Sequence, residues 1–439
     1  MSASNITGTR IVQRAAVHHI QEITVDICVV GSGVAGVTAA LEAARAGRKV
    51  ALVEGSPAVG GQAVNSIIGT FAGLVSNGPN PYLFTYGVVE DMLRALGAQG
   101  KLYLRRKFNT IMYDEVALGR WYEKELQKSG VLVLLGAVMR GVNRADRRIK
   151  SLELATKFGD LRLHADGFVD ASGDATLAWM AGLPCREPED AIVYGTHVAV
   201  LEGVDESRYP KEEEIVERLK EKGREYGVER TAGIVVLFPG RGICVLNMTH
   251  VETPLEPVAA SQKALEGKDQ ADLAVEFLTS EFPEAFGNAN VRSYGWPGVR
   301  QTRWIKGSYQ LTVEDVRNGT WFPDAIARTA WPLELHHTME GYLWEMFSED
   351  HVHYIPLRSL TPPDVDNLAA AGRCIDGDLA ALSSVRVMGP GMATGAAAAH
   401  ALSLAGKGSV HEINIAALQE RLKDNLYRKD PYPGTYSAR

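Results

Sequence analysis

The chain of 439 residues has a formal net charge of −7 and four cysteines, which together exclude several classes of protein. Its acidity, with a pI of about 5.9, argues against a basic surface for nucleic acid. Cys28, Cys185, Cys244 and Cys374 form no CxxC pair, so the sequence offers no ready-made zinc, iron–sulfur or dithiol site and fits a reducing compartment.

Length and hydropathy limit the architecture. At ~150 residues per domain, the length predicts two or three structural units. No apolar run approaches the ~20 residues that cross a bilayer, and residues 1–24 contain no apolar stretch of the kind a secretory signal needs. We therefore expect a cytoplasmic protein with no membrane span and no nucleic-acid partner.

The first predicted elements form a β–α–β unit. Residues 25–30 read VDICVV, a β-branched run typical of a buried strand. The glycine-rich turn 31–36, GSGVAG, follows at once and leads into an Ala/Leu-rich segment that predicts a helix ending at Gly47. Residues 49–55, KVALVEG, predict the second strand.

The glycine spacing in this turn predicts dinucleotide binding. In a GxGxxG turn Gly31 permits the tight turn, Gly33 lets a pyrophosphate approach the backbone, and Gly36 allows the helix to pack closely on the strand. Val34 and Ala35 complete the motif. The N-terminus of the following helix offers free N–H groups and a partial positive charge to the pyrophosphate.

An acidic residue ends the second strand. Glu54 occupies that position, and Gly55 follows it. A carboxylate there can accept hydrogen bonds from both hydroxyls of the adenosine ribose and would repel a 2′-phosphate. The pattern therefore favours FAD or NAD over NADP.

Three later segments favour FAD over NAD. Gly60 and Gly61 begin a small-residue loop that would let the backbone follow an extended ligand such as the ribitol and isoalloxazine of FAD. Residues 165–182 and 365–402 each contain a strand followed by a glycine-containing turn, and the second continues into an alanine-rich helix. The N-terminus of that helix suits the negative charge on the pyrimidine side of a reduced flavin.

With these segments the sequence resembles the FAD-dependent oxidoreductases of the glutathione-reductase-type fold, distantly related to the fumarate reductase and succinate dehydrogenase flavoproteins. The stretches that carry the resemblance include VVGSGVAGVTAALEAARAGRKVALVEG, VGGQ, GFVDASGDATLAWMAG, GVRQTRWIKGSYQLTVEDV, WPLELHH, HYIPLRSLTPPDVDNLAAAGRCIDGD and SSVRVMGPGMATGAAAAHAL. The resemblance implies FAD as cofactor and an α/β fold: a doubly wound, Rossmann-like FAD-binding domain, discontinuous in sequence, with an inserted α+β substrate domain.

The resemblance also assigns contacts to FAD. It implies that Glu54 binds the adenosine ribose, that Val138 gives a backbone contact to adenine, and that Asp378 contacts the ribitol–phosphate arm. The start of the alanine-rich helix is expected to approach the flavin ring. The full set of expected cofactor-binding residues is Gly31, Gly33, Val34, Ala35, Gly36, Glu54, Gly55, Gly60, Gly61, Gln62, Val138, Ala171, Ser172, Gly173, Asp174, Gly372, Asp378, Met388, Met392 and Ala393.

The same segments define the expected domains. The FAD-binding domain is predicted to span residues 20–189 and 359–410. The substrate or cap domain is predicted to be the insertion 190–358, and residues 411–439 are predicted to form a C-terminal helix and tail.

The insertion has an uneven share of aromatic residues. Five of the seven tryptophans lie between residues 296 and 344. Interleaved with arginine and histidine, they predict an apolar pocket with a few polar groups, which is the composition of small-molecule sites. Core packing is the alternative for any single one of them.

Five side chains are candidates for catalysis. Arg300 and Arg303 would clamp a substrate carboxylate or stabilise enolate charge, or else form structural ion pairs. Arg386 lies near the expected flavin-facing turn and is a further candidate. Of His336 and His337, an extended chain turns one inward, where it serves as a base or as a structural histidine. Their surroundings lack HxH or HExxH spacing, so no metal site is predicted.

The leading functional hypothesis is an FAD-dependent dehydrogenase or oxidase that transfers a hydride from a small organic substrate to flavin N5. One alternative is a reductase of an activated C=C bond, as in fumarate reductase. Another is a flavoprotein subunit of an electron-transfer complex. A small-molecule substrate is expected, and the sequence leaves open a homo-oligomer or an electron-accepting partner protein.

Overall fold

The computed structural model describes residues 9–13, 20–105, 108–189 and 192–432. The elements of the first half are β1 Gln21–Val30, α1 Val34–Arg45, β2 Val50–Glu54, α2 Gly61–Val64, β3 Thr70–Phe71, α3 Val88–Ala98, β4 Leu102–Arg105, β5 Thr110–Tyr113, α4 Glu115–Lys128, β6 Leu132–Leu135, β7 Val138–Ala145, β8 Arg148–Thr156, β9 Gly159–Asp170 and α5 Thr176–Met180. Those of the second half are β10 Cys185–Arg186, β11 Ala199–Glu202, α6 Glu212–Lys222, β12 Ile234–Phe238, β13 Ile243–Asn247, α7 Pro257–Glu281, α8 Pro283–Phe286, β14 Asn290–Tyr294, β15 Trp304–Ile305, α9 Val313–Asn318, β16 Ala325–Thr329, β17 Leu333–Leu335, β18 Leu343–Glu345, β19 His353–Pro356, β20 Leu368–Ala370, α10 Leu379–Val385, α11 Met388–Ala405, α12 Ile415–Arg421 and α13 Lys423–Tyr427.

Among these residues, a mixed seven-stranded sheet forms the centre of the molecule, in the order β6-β2-β1-β9-β8-β7, with β20 beside the end of β9. β6, β2, β1, β9 and β20 are parallel, whereas β7, β8 and β9 form an antiparallel meander. Val30 at the end of β1 pairs with Val53 and with Asp170, and Asp170 pairs with Ala370. The carboxyl ends of four strands therefore meet at one edge, which is where open α/β sheets bind ligands.

The local sequence explains how this sheet is covered. β1 and β2 are rich in β-branched residues and become buried where helices cover them. α1 and α11 are rich in alanine and glycine and pack directly against each other and on the sheet. Since no large side chain separates them, the start of α11 lies close to the turn that precedes α1.

A second, smaller core lies within the predicted insertion. In the described chain, β12, β13, β11 and β14 form an antiparallel sheet in that order. Its apolar residues pack with α6, α7 and α8 in a core drawn from residues 199–286. Buried residues between 304 and 357 belong instead to the main core around the central sheet. The insertion thus contains one part with its own core and one part that packs on the central sheet.

The predicted α/β fold with a doubly wound parallel-strand sheet is confirmed. The first strand begins at Gln21, earlier than predicted, because Gln21 already pairs with Leu161 of β9. The domain boundaries stay predictions. The segment after residue 410 contains α12 and α13, and residues 433–439 lie outside the described residues. Within the described chain, no helix combines the length and apolar character needed to cross a membrane.

Candidate active site

A groove with a volume of about 1030 Å³ runs along the edge where β1, β2, β9 and β20 end. Its walls are the turns that follow these strands, the start of α11 and a loop of the insertion. The lining residues are Gly31, Ser32, Gly33, Val34, Ala35, Glu54, Gly61, Gln62, Ala63, Ala171, Ser172, Gly173, Asp174, Pro297, Val299, Ala371, Gly372, Arg373, Arg386, Met388 and Gly391.

The glycine-rich turn after β1 shapes the groove. Gly31 has φ of +96°, and a Cβ there would lie 2.3 Å from the carbonyl oxygen of Ala171, so a larger residue does not fit. A Cβ on Gly33 would instead meet no described protein atom within 4 Å, which leaves this side of the backbone open to a ligand. Within the described residues, α1 has no side-chain cap and no acidic residue in its first turn. Its N–H groups are therefore free to bind an anion.

Glu54 lies at the end of β2, on the wall next to this turn. Its Oε2 accepts hydrogen bonds from the backbone N–H and the hydroxyl of Ser32, at 2.9 and 2.6 Å. Its Oε1 accepts one from the backbone N–H of Ser56 at 2.9 Å. These bonds hold the carboxylate at the groove and leave lone pairs for further donors, such as the hydroxyls of a ribose.

The opposite wall brings together the turns after β9 and β20. The backbone N–H of Ala371 donates to the carbonyl of Asp170, and Nη2 of Arg373 donates to Asp174 at 3.3 Å. Nη1 of Arg373 is buried and has no hydrogen-bond partner among the described residues. This unpaired guanidinium N–H, in the wall of the groove, suits an anionic ligand.

A second pocket of about 990 Å³ adjoins the groove and is built mainly of side chains from distant segments. Gln62, Val299, Arg373, Arg386 and Met388 line both spaces. The other lining residues of the pocket are Ile68, Thr70, Ala72, Arg105, Phe108, Thr110, Thr196, Ile234, Asn247, Gly298, Arg300, Trp331, Glu334, Tyr342, Trp344 and Val387. A ligand in the pocket would therefore touch one end of a ligand in the groove.

Positive charge is concentrated at this pocket. Nη1 of Arg300 donates to the carbonyl of Tyr194 at 2.7 Å, and Nη2 of Arg386 donates to the carbonyl of Glu334 at 3.3 Å. Burial, and then the charges of Arg230 and Arg386, lower the pKa of Arg300 well below its ordinary value. Burial likewise lowers the pKa of Arg386 to about 10. In the described chain, neither Arg300 nor Arg386 forms an ion pair with a carboxylate within 4 Å, so the site has charge to offer an anion.

A buried polar chain lies behind one wall of the pocket. Oε1 of Glu334 lies 3.0 Å from Nε2 of His336, whose Nδ1 lies 2.9 Å from Nε2 of His250. Nδ1 of His250 lies 2.9 Å from the carbonyl oxygen of Met339. The indole N–H of Trp331 donates to the other oxygen of Glu334 at 3.0 Å. Of the three titratable side chains Glu334, His336 and His250, Glu334 is the one that lines the pocket.

Most of the expected cofactor-binding residues converge on the groove. Those that line it are Gly31, Gly33, Val34, Ala35, Glu54, Gly61, Gln62, Ala171, Ser172, Gly173, Asp174, Gly372 and Met388, whereas Gly36, Gly55, Gly60, Val138, Asp378, Met392 and Ala393 do not. Asp378 instead caps α10 through the N–H of Ala381 and accepts a second bond from the N–H of Val313. Val138 is exposed at the start of β7.

The five catalytic candidates separate in the structure. Arg300 and Arg386 line the pocket, and His336 is buried behind Glu334. His337 is exposed and faces the carbonyl of Leu335. Arg303 pairs with Glu187 and stacks over the ring of Trp179, with its guanidinium carbon 4.1 Å from the ring centroid. The two arginines diverge because residues 300–303 form an irregular turn rather than a helix.

Sequence reasoning missed several residues of the two sites. Arg373 and Val299 contribute to both walls, and Glu334 is the carboxylate of the pocket. A usable signal exists for Glu334, since Glu334 and His336 are two residues apart around the end of β17 and point to the same side. No local pattern marks Val299.

The parallel sheet, the glycine-rich turn and the carboxylate at the end of β2 define a protein that binds a dinucleotide in a doubly wound fold. The family model described as FAD dependent oxidoreductase matches residues 26–422. The chain belongs to this family, and FAD is its cofactor. The family assignment made from the sequence is thereby confirmed.

Comparisons with individual proteins give more distant likenesses. A protein from Archaeoglobus profundus, named for its likeness to one subunit of heterodisulfide reductase, is 34% identical over 105 residues, which cover 21% of this chain and 15% of that protein's length. A geranylgeranyl bacteriochlorophyll reductase-like protein from Thermoplasma acidophilum shares 13% identity over 93% of this chain and 85% of that one, with a TM-score of 0.49. The FAD complex of glycerol-3-phosphate dehydrogenase from Bacillus halodurans shares 14% identity over 63% of this chain and 56% of that one, with a TM-score of 0.37.

FAD fits the residues of the groove. The open side of Gly33 and the free N–H groups of α1 suit the pyrophosphate, and Glu54 suits the adenosine ribose. The unpaired Nη1 of Arg373 suits an anionic or carbonyl oxygen further along. In the described residues α11 also begins without a side-chain cap or an acidic residue. The N–H of Gly389 donates to the carbonyl of Ala72 and Pro390 has no N–H, so the N–H of Met388 and the positive end of the helix dipole are what α11 offers to the pyrimidine side of the flavin.

Proposed function

We propose that this chain is a dehydrogenase or oxidase of a small organic anion, and that Arg300 and Arg386 bind a carboxylate of the substrate. The observation that carries this proposal is the common wall of groove and pocket, formed by the five residues named above. A substrate in the pocket would lie against the end of FAD that is remote from Glu54. This arrangement supports oxidation by the cofactor, because the substrate must lie against the flavin to react with it.

The charges of the pocket favour a carboxylate. Each guanidinium offers a planar fork of donors that matches two carboxylate oxygens. Arg230 adds a third charge behind the wall, and its Nε and Nη2 are buried without partners among the described residues. Among the described residues, Glu334 is the carboxylate whose charge acts on these arginines, so an anion bound beside them would compensate the remaining positive charge.

Part of the remaining lining of the pocket is apolar. Ile68, Trp331, Trp344 and Val387 contribute hydrophobic surface beside the charged groups. These features support a substrate that combines one carboxylate with a compact hydrocarbon or aromatic part.

The residues of the chain position the substrate. FAD, when bound, supplies a two-electron acceptor. Arg300 and Arg386 would fix the carboxylate end, and the apolar walls would exclude water from the reacting carbon. The side-chain amide of Gln62 donates to the carbonyl of Val299 at 3.0 Å, which ties the loop at the groove to the insertion. This bond would hold the groove and the pocket in a fixed position relative to each other.

The experiment that tests the proposal is anaerobic reduction of the FAD-loaded protein by a panel of 2-hydroxy, 2-amino and unsaturated carboxylates. We expect bleaching of the flavin absorbance by at least one hydroxy or amino acid, and a much weaker response to the matched uncharged amides. Reoxidation of the reduced protein by unsaturated carboxylates alone would overturn the proposed direction and support a C=C reductase. A protein that responds to none of them would contradict the proposal.

A second candidate function has one observation in its favour. The short similarity to the heterodisulfide reductase-like protein of Archaeoglobus profundus favours a flavoprotein component of an electron-transfer complex. Purification of the tagged chain from its source would separate the two. A stoichiometric partner with an iron–sulfur or haem spectrum supports the second candidate, whereas an isolated chain that turns over substrate with oxygen or a dye supports the first.

A further inference from the structure

The binding of a carboxylate by two arginines leaves the polar chain behind the pocket unexplained. Glu334 faces the pocket with its side chain 19% exposed, whereas His336 is only 1% exposed. His250 is also 1% exposed. Beyond Glu334 the chain is therefore closed to water and ends on the backbone carbonyl of Met339.

The three contacts of this chain need three protons. A carbonyl oxygen only accepts, so Nδ1 of His250 must donate to Met339, and in a neutral ring Nε2 of His250 then accepts. Consequently His336 carries its proton on Nδ1 and presents a bare Nε2 to Glu334. Two neutral imidazoles supply two protons, and the third must lie between Nε2 of His336 and Oε1 of Glu334. Without it, two lone pairs would face each other at 3.0 Å.

The surroundings keep the two imidazoles neutral. Burial, and then the charges of Arg230 and Arg300, lower the pKa of His250 to about 2. Burial and the charges of Arg300, Arg230 and Arg386 lower the pKa of His336 well below its ordinary value. The phenol of Tyr342 packs against His336, with ring centroids 4.7 Å apart. The three contacts of the chain therefore share one proton beyond the two that the neutral rings carry.

We propose that Glu334 is the catalytic acid–base residue of the pocket, and that His336 and His250 are positioning residues that hold one exchangeable proton with it. This inference rests on the proposed function. In oxidation of a hydroxy or amino acid, Glu334 takes the proton of the O–H or N–H group. The hydrogen of the adjacent C–H bond leaves with both electrons of that bond to oxidised FAD, which is reduced by two electrons, and the substrate gains a C=O or C=N bond.

The proton count predicts how the reaction depends on pH. To act as a base, Glu334 must first lose the proton that it holds with His336. Turnover in the direction of oxidation should therefore increase as this shared proton is lost. Reduction in the opposite direction needs that proton, so its rate should fall over the same interval.

The first test measures the protons directly on the FAD-loaded protein. Nitrogen-15 labelling of histidine rings distinguishes the Nδ1–H and Nε2–H tautomers, and the variants His250→Gln and His336→Gln assign the signals. We expect both rings to be neutral Nδ1–H tautomers at pH 7. An Nε2–H tautomer at either position would overturn the proposal, whether or not a substrate has been found.

The second test is the variant Glu334→Gln. Its amide can still donate to His336 and accept from Trp331, so the hydrogen bonds persist while the titrating proton is lost. We expect unchanged FAD content and melting temperature, turnover reduced about 10²–10⁴-fold, and a flat pH profile. Wild-type turnover with the wild-type pH profile would contradict the proposal. If the variant does not retain FAD, the ring-nitrogen measurement on the wild type decides.

The third test uses His336→Gln to distinguish a positioning role of His336 from a purely structural one. In His336→Gln the carboxyl group of Glu334 loses the ring with which it shares a proton, so the midpoint of the pH profile should differ from that of the wild type. A loss of turnover at all pH values with an unmoved midpoint would contradict the role of His336. His337→Gln, one residue further along and exposed, is the matched control and should leave rate and midpoint unchanged. If no carboxylate of the panel reduces the flavin, the proposed function is contradicted. The tautomers of His250 and His336 would still test the shared proton of Glu334 independently of any substrate.

Discussion

The groove and the pocket share a wall but are built by different means. The groove is made mostly of backbone, from glycine-containing turns that follow neighbouring strands of one sheet. The pocket is made of side chains from segments as far apart as Ile68 and Met388. Backbone sites need particular residue types at fixed spacing, whereas side-chain sites depend on how distant segments pack. The two regions therefore differ in what a substitution should do to them.

The largest expected effect is on the groove. In Gly33→Asp the new Cβ would meet no described protein atom within 4 Å, and the side chain would place a carboxylate where we expect the pyrophosphate to bind. Since juxtaposed like charges cost several kcal/mol, FAD affinity should fall at least about 1,000-fold. Equilibrium titration of the apoprotein with FAD measures this change.

The apoprotein of this variant should melt within a few degrees of the wild type. FAD binding at wild-type affinity would show that the pyrophosphate does not lie at Gly33. A collapse of the apoprotein would show that Gly33 has a structural role that its open surroundings do not indicate.

The pocket should respond in the opposite way. Arg300→Gln removes a charge that we assign to the substrate and not to FAD, so FAD affinity should stay unchanged. The Kd or KM for a carboxylate substrate should rise about 100-fold, because breaking a buried charge pair costs ~2–5 kcal/mol. Arg303→Gln is the matched control, since Arg303 lies outside the pocket and pairs with Glu187. Equal effects of the two variants would contradict the assignment of Arg300.

A third prediction concerns the pH dependence of folding stability that arises from His353, a buried histidine near the pocket. His353 is buried and contacts the hydroxyl of Ser384, which in turn donates to the carbonyl of Trp331 in the pocket wall. Burial lowers the pKa of His353 from 6.5 to about 3. The unfolded chain therefore binds a proton below pH 6.5 that the folded chain does not, so stability falls as the pH drops from 6.5 towards 3.

The expected size is about 2 kcal/mol of unfolding free energy lost at pH 5, from ~1.36 kcal/mol per pH unit. Urea unfolding at pH 7.5, 6 and 5 measures the slope. The variant His353→Gln should lower stability at pH 7.5 and show a slope between pH 6 and 5 that is smaller by about 1 kcal/mol per unit. An unchanged slope would mean that His353 is protonated in the folded protein.

The smallest expected effect is at the adenosine end of the groove. Glu54→Gln keeps the shape of the side chain but removes its charge. Its single amide oxygen cannot accept from the backbone N–H groups of both Ser32 and Ser56, so one of these two bonds is lost. FAD affinity should fall about 10-fold. Once this variant has been saturated with FAD, its substrate affinity should equal that of the wild type. A different substrate affinity would show that the adenosine end of the groove influences the pocket, although the two do not touch.

The same contrast explains how much the sequence could predict. The glycine-rich turn, Glu54 and the small-residue helices are local patterns, and the structure brings them together at one sheet edge because parallel strands end there. Asp378 departs from its predicted role because its carboxylate is taken up as a helix cap, a local use of aspartate that competes with ligand binding.

The pocket was harder to predict. The composition of the tryptophan-rich segment indicated a pocket, yet only Trp331 and Trp344 line it, while Trp304 is buried in the main core and Trp296 and Trp321 are exposed. The pair His336–His337 drew attention to histidine, although Glu334 is the group that faces the pocket. Which of these side chains turns inward depends on contacts with β18 and α10, which are distant in sequence.

The central claim is that FAD and a substrate carboxylate occupy adjoining spaces that meet at Arg386 and Met388. The most direct measurement is the absorbance of bound flavin during anaerobic titration with a small carboxylate. We predict a saturable shift of the flavin spectrum in the wild type, a shift weakened about 100-fold in Arg300→Gln, and no shift with the corresponding amide. A carboxylate that binds with wild-type affinity in Arg300→Gln, or that binds without disturbing the flavin, would contradict the account.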